Sequence, residues 1–131
     1  MSHTKGLLVL VIDDRKSNRD ALKMVLEDLG CTVITAEDGE KGIEVFGINS
    51  EIKLVITDHQ MPKKDGIAVT KAVKQLRPEV KVIAVTVNKY ETAGEFTKAG
   101  ANVVLGKPLD DEQLRVVIEA WFPNPRHTIN A

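Results

Sequence analysis

The sequence has one cysteine, almost no excess of charge and no long apolar run. A single cysteine excludes an intramolecular disulfide and fits a reducing compartment, so we expect a cytoplasmic protein. The 18 lysines and arginines nearly balance the 19 acidic residues, and the net charge of -1 excludes a global basic field that would hold nucleic acid or an anionic membrane. Apolar runs such as residues 7–12 are far too short to span a bilayer, and the first six residues lack the apolar region of a signal peptide.

The length of 131 residues suits one packed core. We expect a single domain over residues 7–122, preceded by a short tail, residues 1–6. Pro123 and Pro125 cannot continue a helix, so residues 123–131 are expected to form a second tail. With no length left for an output module, the output is expected to be a contact with another protein.

Five short runs of apolar, β-branched residues alternate with segments of helical spacing, such as Leu22, Val25, Leu26 and Leu29. Because these strands are too apolar to have a wet face, the alternation predicts an α/β fold with a doubly wound five-stranded parallel sheet and helices on both faces. The fourth helix, residues 89–99, is expected to be the loosest, since Phe96 is its only large apolar anchor. The five predicted strands are residues 7–12, 32–36, 54–57, 80–86 and 103–105.

Chemically active side chains follow the ends of four of these strands. In a parallel α/β sheet ligands bind beyond the carboxyl ends of the strands, so these groups would meet at one edge if the four strands are neighbours. Two carboxylates about 5 Å apart repel by about 3 kcal/mol at an effective dielectric of about 20, and Mg²⁺ is the natural counter-ion. A carboxylate beside Mg²⁺, an ammonium and a hydroxyl is an arrangement for phosphoryl transfer. The residues concerned are Asp13, Asp14, Asp58, Thr86 and Lys107.

The same residues carry a family resemblance. Asp13-Asp14, the run Asp58-His59-Gln60-Met61-Pro62-Lys63-Lys64-Asp65-Gly66, Thr86, and Gly100-Ala101 leading to Lys107-Pro108 resemble the receiver domain of two-component response regulators, in order and spacing over about residues 7–122. The resemblance implies a flavodoxin-like (βα)5 fold with strand order 2-1-3-4-5. It also implies a phosphoacceptor regulatory domain that promotes its own phosphorylation and dephosphorylation, rather than a conventional enzyme.

Residue roles follow from the resemblance. Asp58 matches the phosphoacceptor, which takes a phosphoryl group from a histidine kinase or a histidine phosphotransfer protein. Asp14 matches the direct Mg²⁺ ligand, Asp13 its neighbour that usually acts through water, and the main-chain carbonyl of Gln60 the third protein ligand.

Two further roles belong to Thr86, which matches the hydroxyl that swings to meet the phosphoryl group, and Lys107, which matches the family's ammonium. The Lys107-Pro108 bond matches one that is usually cis. The basic start of the first helix lies beside the acidic pocket, and we expect the phosphodonor to touch Asn18, Ala21, Pro108 and Leu109.

Two positions depart from the family pattern. Val87 stands where a small residue usually follows the hydroxyl, and its larger side chain is expected to slow phosphoryl exchange. Val104 stands where an aromatic is usual, so signalling is expected to depend on Thr86 and the fourth helix. His59 follows the proposed nucleophile, but we do not expect it to act as a general base, since adjacent residues leaving a strand tend to point apart and Gln60 could place a water instead.

The sequence disfavours two of three alternative functions. A flavin-carrying electron-transfer protein needs a phosphate-binding loop after the first strand, where Asp13-Asp14 would repel the anion. A phosphatase that resembles the haloacid dehalogenase group would carry a second Asp where this chain has Gln60. A binding-only adaptor that has lost phosphorylation stays open because of Val87 and Val104.

Overall fold

The fold is taken from a computed structural model that describes residues 6–123. The predicted tails, residues 1–6 and 123–131, lie outside this part except for Gly6 and Pro123. Strands and helices alternate strictly along the chain, as the sequence predicts. The elements are β1 (Leu8–Ile12), α1 (Lys16–Asp28), β2 (Thr32–Ala36), α2 (Gly39–Ile48), β3 (Ile52–Asp58), α3 (Gly66–Leu76), β4 (Lys81–Thr86), α4 (Lys89–Ala99), β5 (Val103–Gly106) and α5 (Asp111–Trp121).

The five strands form one parallel sheet in the order β2-β1-β3-β4-β5. This confirms the predicted architecture and strand order. It makes β1, β3, β4 and β5 consecutive neighbours, so their carboxyl ends lie side by side. In the register, Ile12 pairs with Thr57 and Asp58 pairs with Val85. The chemically active residues that follow these strands are therefore brought to one edge.

Side chains of each strand alternate between two cores, because successive residues of a strand point to opposite faces. Leu10 and Ile12 of β1 pack into the core under α2, α3 and α4, together with Phe46 and Phe96. Val9 and Val11 pack into the core under α1 and α5, whose buried members are Leu26, Leu114 and Ile118. Both faces of the sheet are thus dry, which explains the nearly continuous apolar strands.

Three helices begin at an aspartate whose side chain accepts a backbone N–H of the first turn. Asp38 accepts from Lys41, Asp65 from Ala68, and Asp110 from Glu112 and Gln113. Helix α4 begins at Asn88 without a side-chain cap and ends at Gly100, whose φ of 111° suits glycine. The looseness of α4 stays a prediction.

The sequence analysis placed β3 at residues 54–57, and the strand is longer at both ends. The predicted strand starts too late because the exposed Lys53 interrupts the apolar run after Ile52. It ends too early because Asp58, the last residue of the strand, is polar and does not continue the apolar run. None of the helices within residues 6–123 is long and apolar enough to cross a membrane.

Candidate functional site

Three carboxylates meet at the carboxyl edge of the sheet. Asp13 and Asp14 follow β1, and Asp58 is the last residue of the neighbouring strand β3. One oxygen from each lies within 4.8 Å of the others. Asp13 and Asp58 are buried, with exposed fractions of 3% and 9%, whereas Asp14 is exposed. The donor set, made only of carboxylate oxygens, fits a hard cation such as Mg²⁺.

The surroundings of Asp13 disfavour the negative charge of its carboxylate. Burial raises the pKa of its carboxyl, and the neighbouring charge of Asp58 raises it further. The backbone N–H of Arg15, which donates to Asp13 Oδ1 at 2.9 Å, acts in the opposite direction, as do Lys107 and Asn18. The pKa stays raised, so these groups do not fully offset the cost of a buried negative charge.

Helix capping does not account for the aspartate pair. Helix α1 begins after Arg15, whose side chain forms no capping hydrogen bond. Asp13 is held instead by the Arg15 N–H and by the side-chain amide of Asn18, whose Nδ2 lies 3.3 Å from Asp13 Oδ2. Arg19 donates to the main-chain carbonyl of Asp13 at 2.8 Å. The first turn of α1 therefore fixes Asp13 at the edge of the cluster.

Lys107 supplies the cation that faces the carboxylates. Its ammonium lies 2.7 Å from Asp58 Oδ1 and 3.8 Å from Asp13 Oδ2. Its backbone N–H donates to the carbonyl of Thr86 at 3.0 Å, which ties the end of β5 to the end of β4. The Lys107-Pro108 bond is cis, as the resemblance implied. One ammonium among three carboxylates leaves the cluster with a deficit of positive charge.

Thr86 ends β4 and is almost completely buried, with 1% of its surface exposed. Its hydroxyl accepts the backbone N–H of Asn88 at 3.1 Å and lies 3.3 Å from Nδ1 of His59. The His59 ring also packs edge-on against Phe96 of α4, with centroids 5.2 Å apart. The contact with Thr86 was missed by the sequence analysis, and no local signal predicts it because 27 residues separate the two.

Gly66 positions the segment between β3 and α3. A Cβ at this position would lie 2.2 Å from the carbonyl oxygen of Asp58, and the Gly66 N–H donates to the carbonyl of His59 at 2.7 Å. Only glycine permits this approach. The close packing folds the loop back over the strand end and holds Gln60 beside Asp58.

Two cavities open on the cluster, and both are lined by Asp58 and Lys107. One, of about 460 Å³, runs between α1 and the segment after β5. The other, of about 500 Å³, opens towards the ends of β3 and β4. The first brings together Asp13 and the four predicted docking residues Asn18, Ala21, Pro108 and Leu109, and the second is lined by Asp14, His59, Gln60, Thr86 and Val87.

The two unusual valines lie in different surroundings. Val87 is 69% exposed at the rim of the second cavity. Val104 is half-buried in β5, pairs with Ala84 and packs on the same core as Phe96.

Comparison with known proteins agrees with this geometry. A family model described as the response regulator receiver domain matches residues 9–119. The chain is 35% identical over 127 residues to a probable chemotaxis protein CheY of Rhizobium etli, covering 93% of this chain and 97% of that protein. It is 30% identical over 114 residues to the autoinducer 1 sensor kinase/phosphatase LuxN of Vibrio harveyi, covering 87% of this chain but only 13% of LuxN.

A solved structure gives the same result. The response regulator receiver domain protein from Clostridium thermocellum superposes with a TM-score of 0.82 at 33% identity, over 87% of this chain and 92% of that one. Together with the family match over most of the sequence, this likeness means that the chain belongs to the response regulator receiver domain family.

Proposed function

We propose that this receiver accepts a phosphoryl group on Asp58 and signals through a protein contact that depends on the state of this residue. The observation that carries the proposal is the position of Asp58. It is a buried carboxylate at the end of a central strand, 2.7 Å from an ammonium and within 4.8 Å of two further carboxylates. Its side chain lines both cavities, so it is reachable from outside.

The group transfer balances with a phosphohistidine as donor. An oxygen of Asp58 attacks the phosphorus, a phosphorus–oxygen bond forms, and the phosphorus–nitrogen bond breaks with its electron pair returning to the imidazole. Lys107, already in contact with Asp58, offsets negative charge on the phosphoryl oxygens. The domain then acts as a regulatory phosphoacceptor that promotes its own phosphorylation and dephosphorylation.

The charge deficit of the cluster supports Mg²⁺ as the cofactor. Asp13, Asp14 and Asp58, with the main-chain carbonyl of Gln60, would hold the ion. When bound, Mg²⁺ neutralises charge on the carboxylates and on the transferring phosphoryl group. Before the ion binds, Lys107 offsets part of the repulsion and Asn18 holds Asp13 in place.

Thr86 is the group that we expect to respond to phosphorylation. Its hydroxyl has one O–H donor, and phosphoryl oxygens are strong acceptors. Thr86 and Asp58 line the same cavity, and the carbonyl of Thr86 accepts the backbone N–H of Lys107. A turn of the hydroxyl towards Asp58 would therefore link the covalent state of the site to β4 and the start of α4.

The first cavity supports a docking surface for the phosphodonor. Ala21 on α1 and Leu109 after β5 line one apolar depression that leads to Asp58 and Lys107. This suits a histidine kinase or a phosphotransfer protein, which must bring a phosphohistidine to Asp58. The downstream partner, like the donor, is then another protein in the cytoplasm.

One experiment tests the phosphoacceptor role. The protein is incubated with Mg²⁺ and acetyl phosphate, and its intact mass is measured. We expect a gain of one phosphoryl group that is lost in Asp58→Asn and kept in the control Asp65→Asn, whose carboxylate only caps α3. A wild-type protein that gains no mass would favour the binding-only adaptor.

A second experiment tests docking separately. Ala21→Trp fills the first cavity but does not line the second, so it should slow transfer from a phosphorylated histidine kinase while acetyl phosphate still modifies Asp58. Lys23→Trp, on the exposed part of α1 outside both cavities, is the control. Equal transfer rates for both variants would place the docking surface elsewhere.

A further inference from the structure

The ring of His59 lies between the hydroxyl of Thr86 and helix α4. Its Nδ1 is 3.3 Å from Thr86 Oγ1, and its ring meets Phe96 edge-on at an interplanar angle of 72°. The side chain is half-buried and lines the cavity that contains Asp58. His59 therefore contacts both the Thr86 hydroxyl, which is expected to move, and helix α4, which follows Thr86 in the chain.

The hydrogen bonds of Thr86 show what the contact with His59 does. A threonine hydroxyl has one donor and two acceptor positions, and the Asn88 N–H fills one acceptor position. Nδ1 of His59 either accepts the Thr86 proton or donates to the remaining lone pair, according to the tautomer. If Nδ1 accepts, it engages the one O–H donor of Thr86, and this bond must break before the hydroxyl can donate to a phosphoryl group on Asp58. If Nδ1 donates, the O–H stays free, and the bond restrains the position of the hydroxyl oxygen.

The His59 ring also contacts Phe96, the main apolar anchor of α4. Phe96 is fully buried, and the remaining buried residues of this helix, Thr92 and Ala99, are small. By contrast, Tyr90 on the same helix is 97% exposed. A displacement of the His59 ring would therefore be felt at the one large side chain that fixes α4 to the sheet.

We propose that His59 is a positioning residue: it holds the Thr86 hydroxyl away from Asp58 before phosphorylation and passes its movement to α4 through Phe96. The inference rests on the proposed phosphorylation of Asp58. It assigns His59 no contact with the reacting atoms. It predicts that the hydrogen bond and the ring contact have separable effects.

Two substitutions separate the two contacts. His59→Phe keeps a ring against Phe96 but removes the hydrogen bond to Thr86. His59→Asn places a polar atom where Nδ1 lies but removes the ring. Tyr90→Leu, which removes an exposed ring from the same helix, is the control. The probe is beryllofluoride, a stable phosphoryl analogue, added together with Mg²⁺. Two quantities are measured: the affinity of the protein for beryllofluoride, and the change in the backbone amide chemical shifts of residues 89–99 when it binds.

We expect His59→Phe to bind beryllofluoride about two- to tenfold more tightly, since a competing hydrogen bond has been removed, and to keep the α4 shifts. His59→Asn should bind within about twofold of wild type, while the shifts at Phe96 and its neighbours fall by half or more. Tyr90→Leu should resemble wild type in both measurements. A purely structural role for His59 would not divide affinity from the α4 response in this way.

The opposite results overturn the inference. If His59→Phe leaves the affinity unchanged, His59 does not hold Thr86, and if His59→Asn keeps the α4 shifts, the ring is not the link. Either result, with wild type binding the analogue, leaves the proposed function standing. A wild-type protein that binds no beryllofluoride overturns the proposed function and this inference with it.

Discussion

The charged side chains at the amino and carboxyl edges of the sheet differ in how well their neighbours compensate them. At the amino edge, Lys74 donates to the carbonyl of Val80 at 2.6 Å and to the side-chain oxygen of Asn102 at 2.8 Å. Arg77 donates to the carbonyls of Phe46 and Asn49 at the end of α2 and lies 3.7 Å over the Phe46 ring. These cations face several neutral acceptors each, so the protein itself satisfies their hydrogen-bonding groups, although burial and the neighbouring charge of Lys81 lower the pKa of Lys74.

The carboxyl edge is not satisfied in this way. Within residues 6–123, Lys107 is the one lysine that pairs with the three-carboxylate cluster, through Asp13 and Asp58, and the pKa of Asp13 stays raised. An arrangement that leaves charge uncompensated costs stability but provides a place for a cation and a phosphoryl group. The contrast indicates that the amino edge contributes stability and the carboxyl edge contributes chemistry.

The largest expected effect is at the amino edge. Arg77→Ala removes two hydrogen bonds from a charged donor and a cation–π contact, so we expect the free energy of unfolding to fall by about 2–3 kcal/mol. Urea denaturation measures the loss. Phosphorylation by acetyl phosphate should persist under native conditions, because Arg77 is remote from the carboxylates.

Arg115→Ala is the matched control. Arg115 pairs with Glu112 and Glu119 on the surface of α5, and exposed pairs of this kind contribute little. If both variants lost the same stability, the Arg77 contacts would have no special weight.

The next effect has the opposite sign. Without Mg²⁺ at neutral pH, Asp13→Asn should raise the free energy of unfolding by about 1–2 kcal/mol, because it removes part of a repulsion of about 3 kcal/mol while keeping an oxygen for the Arg15 N–H. Asp14→Asn should gain less, since Asp14 is exposed. Thermal unfolding in EDTA compares the two, and an equal gain would contradict the distinction between them.

The gain of Asp13→Asn should also depend on pH. Because the pKa of Asp13 is raised, the folded protein keeps a proton that the unfolded chain has released, so wild-type stability falls as pH rises above about 4. The difference between variant and wild type is therefore expected to be absent below about pH 4 and to grow through this window. A constant difference across pH would mean that the charge of Asp13 is not its cause.

Addition of Mg²⁺ should stabilise the wild-type protein more than a variant that lacks the carboxylates of the cluster. An ion that binds only the folded site at ten times its Kd stabilises the protein by about 1.4 kcal/mol. We expect this rise in wild type and its loss in Asp13→Asn combined with Asp58→Asn, measured against Na⁺ at matched ionic strength. Equal stabilisation of both proteins would show that Mg²⁺ acts outside the carboxylate cluster.

Much of this architecture could be predicted from local patterns. The bounds of β2 and α4 agree with the predicted residues 32–36 and 89–99. Gly100 directly follows α4, and Gly30 lies two residues before the first residue of β2. The positions of Asp58 and Lys107 could be predicted because parallel strands bring their carboxyl ends to one edge.

What could not be predicted depends on rotamers and turns. Local sequence patterns do not show which aspartate of the pair is buried, and the turn into α1 buries Asp13 and exposes Asp14. The contact of His59 with Thr86 needs both the pairing of β3 with β4 and a particular side-chain orientation. These features decide the electrostatics and the coupling of the site, which local sequence patterns do not encode.

The smallest expected effect concerns access to the carboxyl edge. Val87 lies at the rim of the cavity that contains Asp58 and is 69% exposed, so it narrows the entrance without closing it. We expect Val87→Ala to raise the rates of phosphorylation by acetyl phosphate and of dephosphorylation by about two- to threefold, since a difference of two methyl groups at an exposed rim changes the barrier by well under 1 kcal/mol. Intact mass against time gives both rates. Because Val87 carries no charge, the stabilisation by Mg²⁺ should not change. Unchanged rates would mean that the charge of the carboxyl edge, and not the width of its entrance, limits exchange.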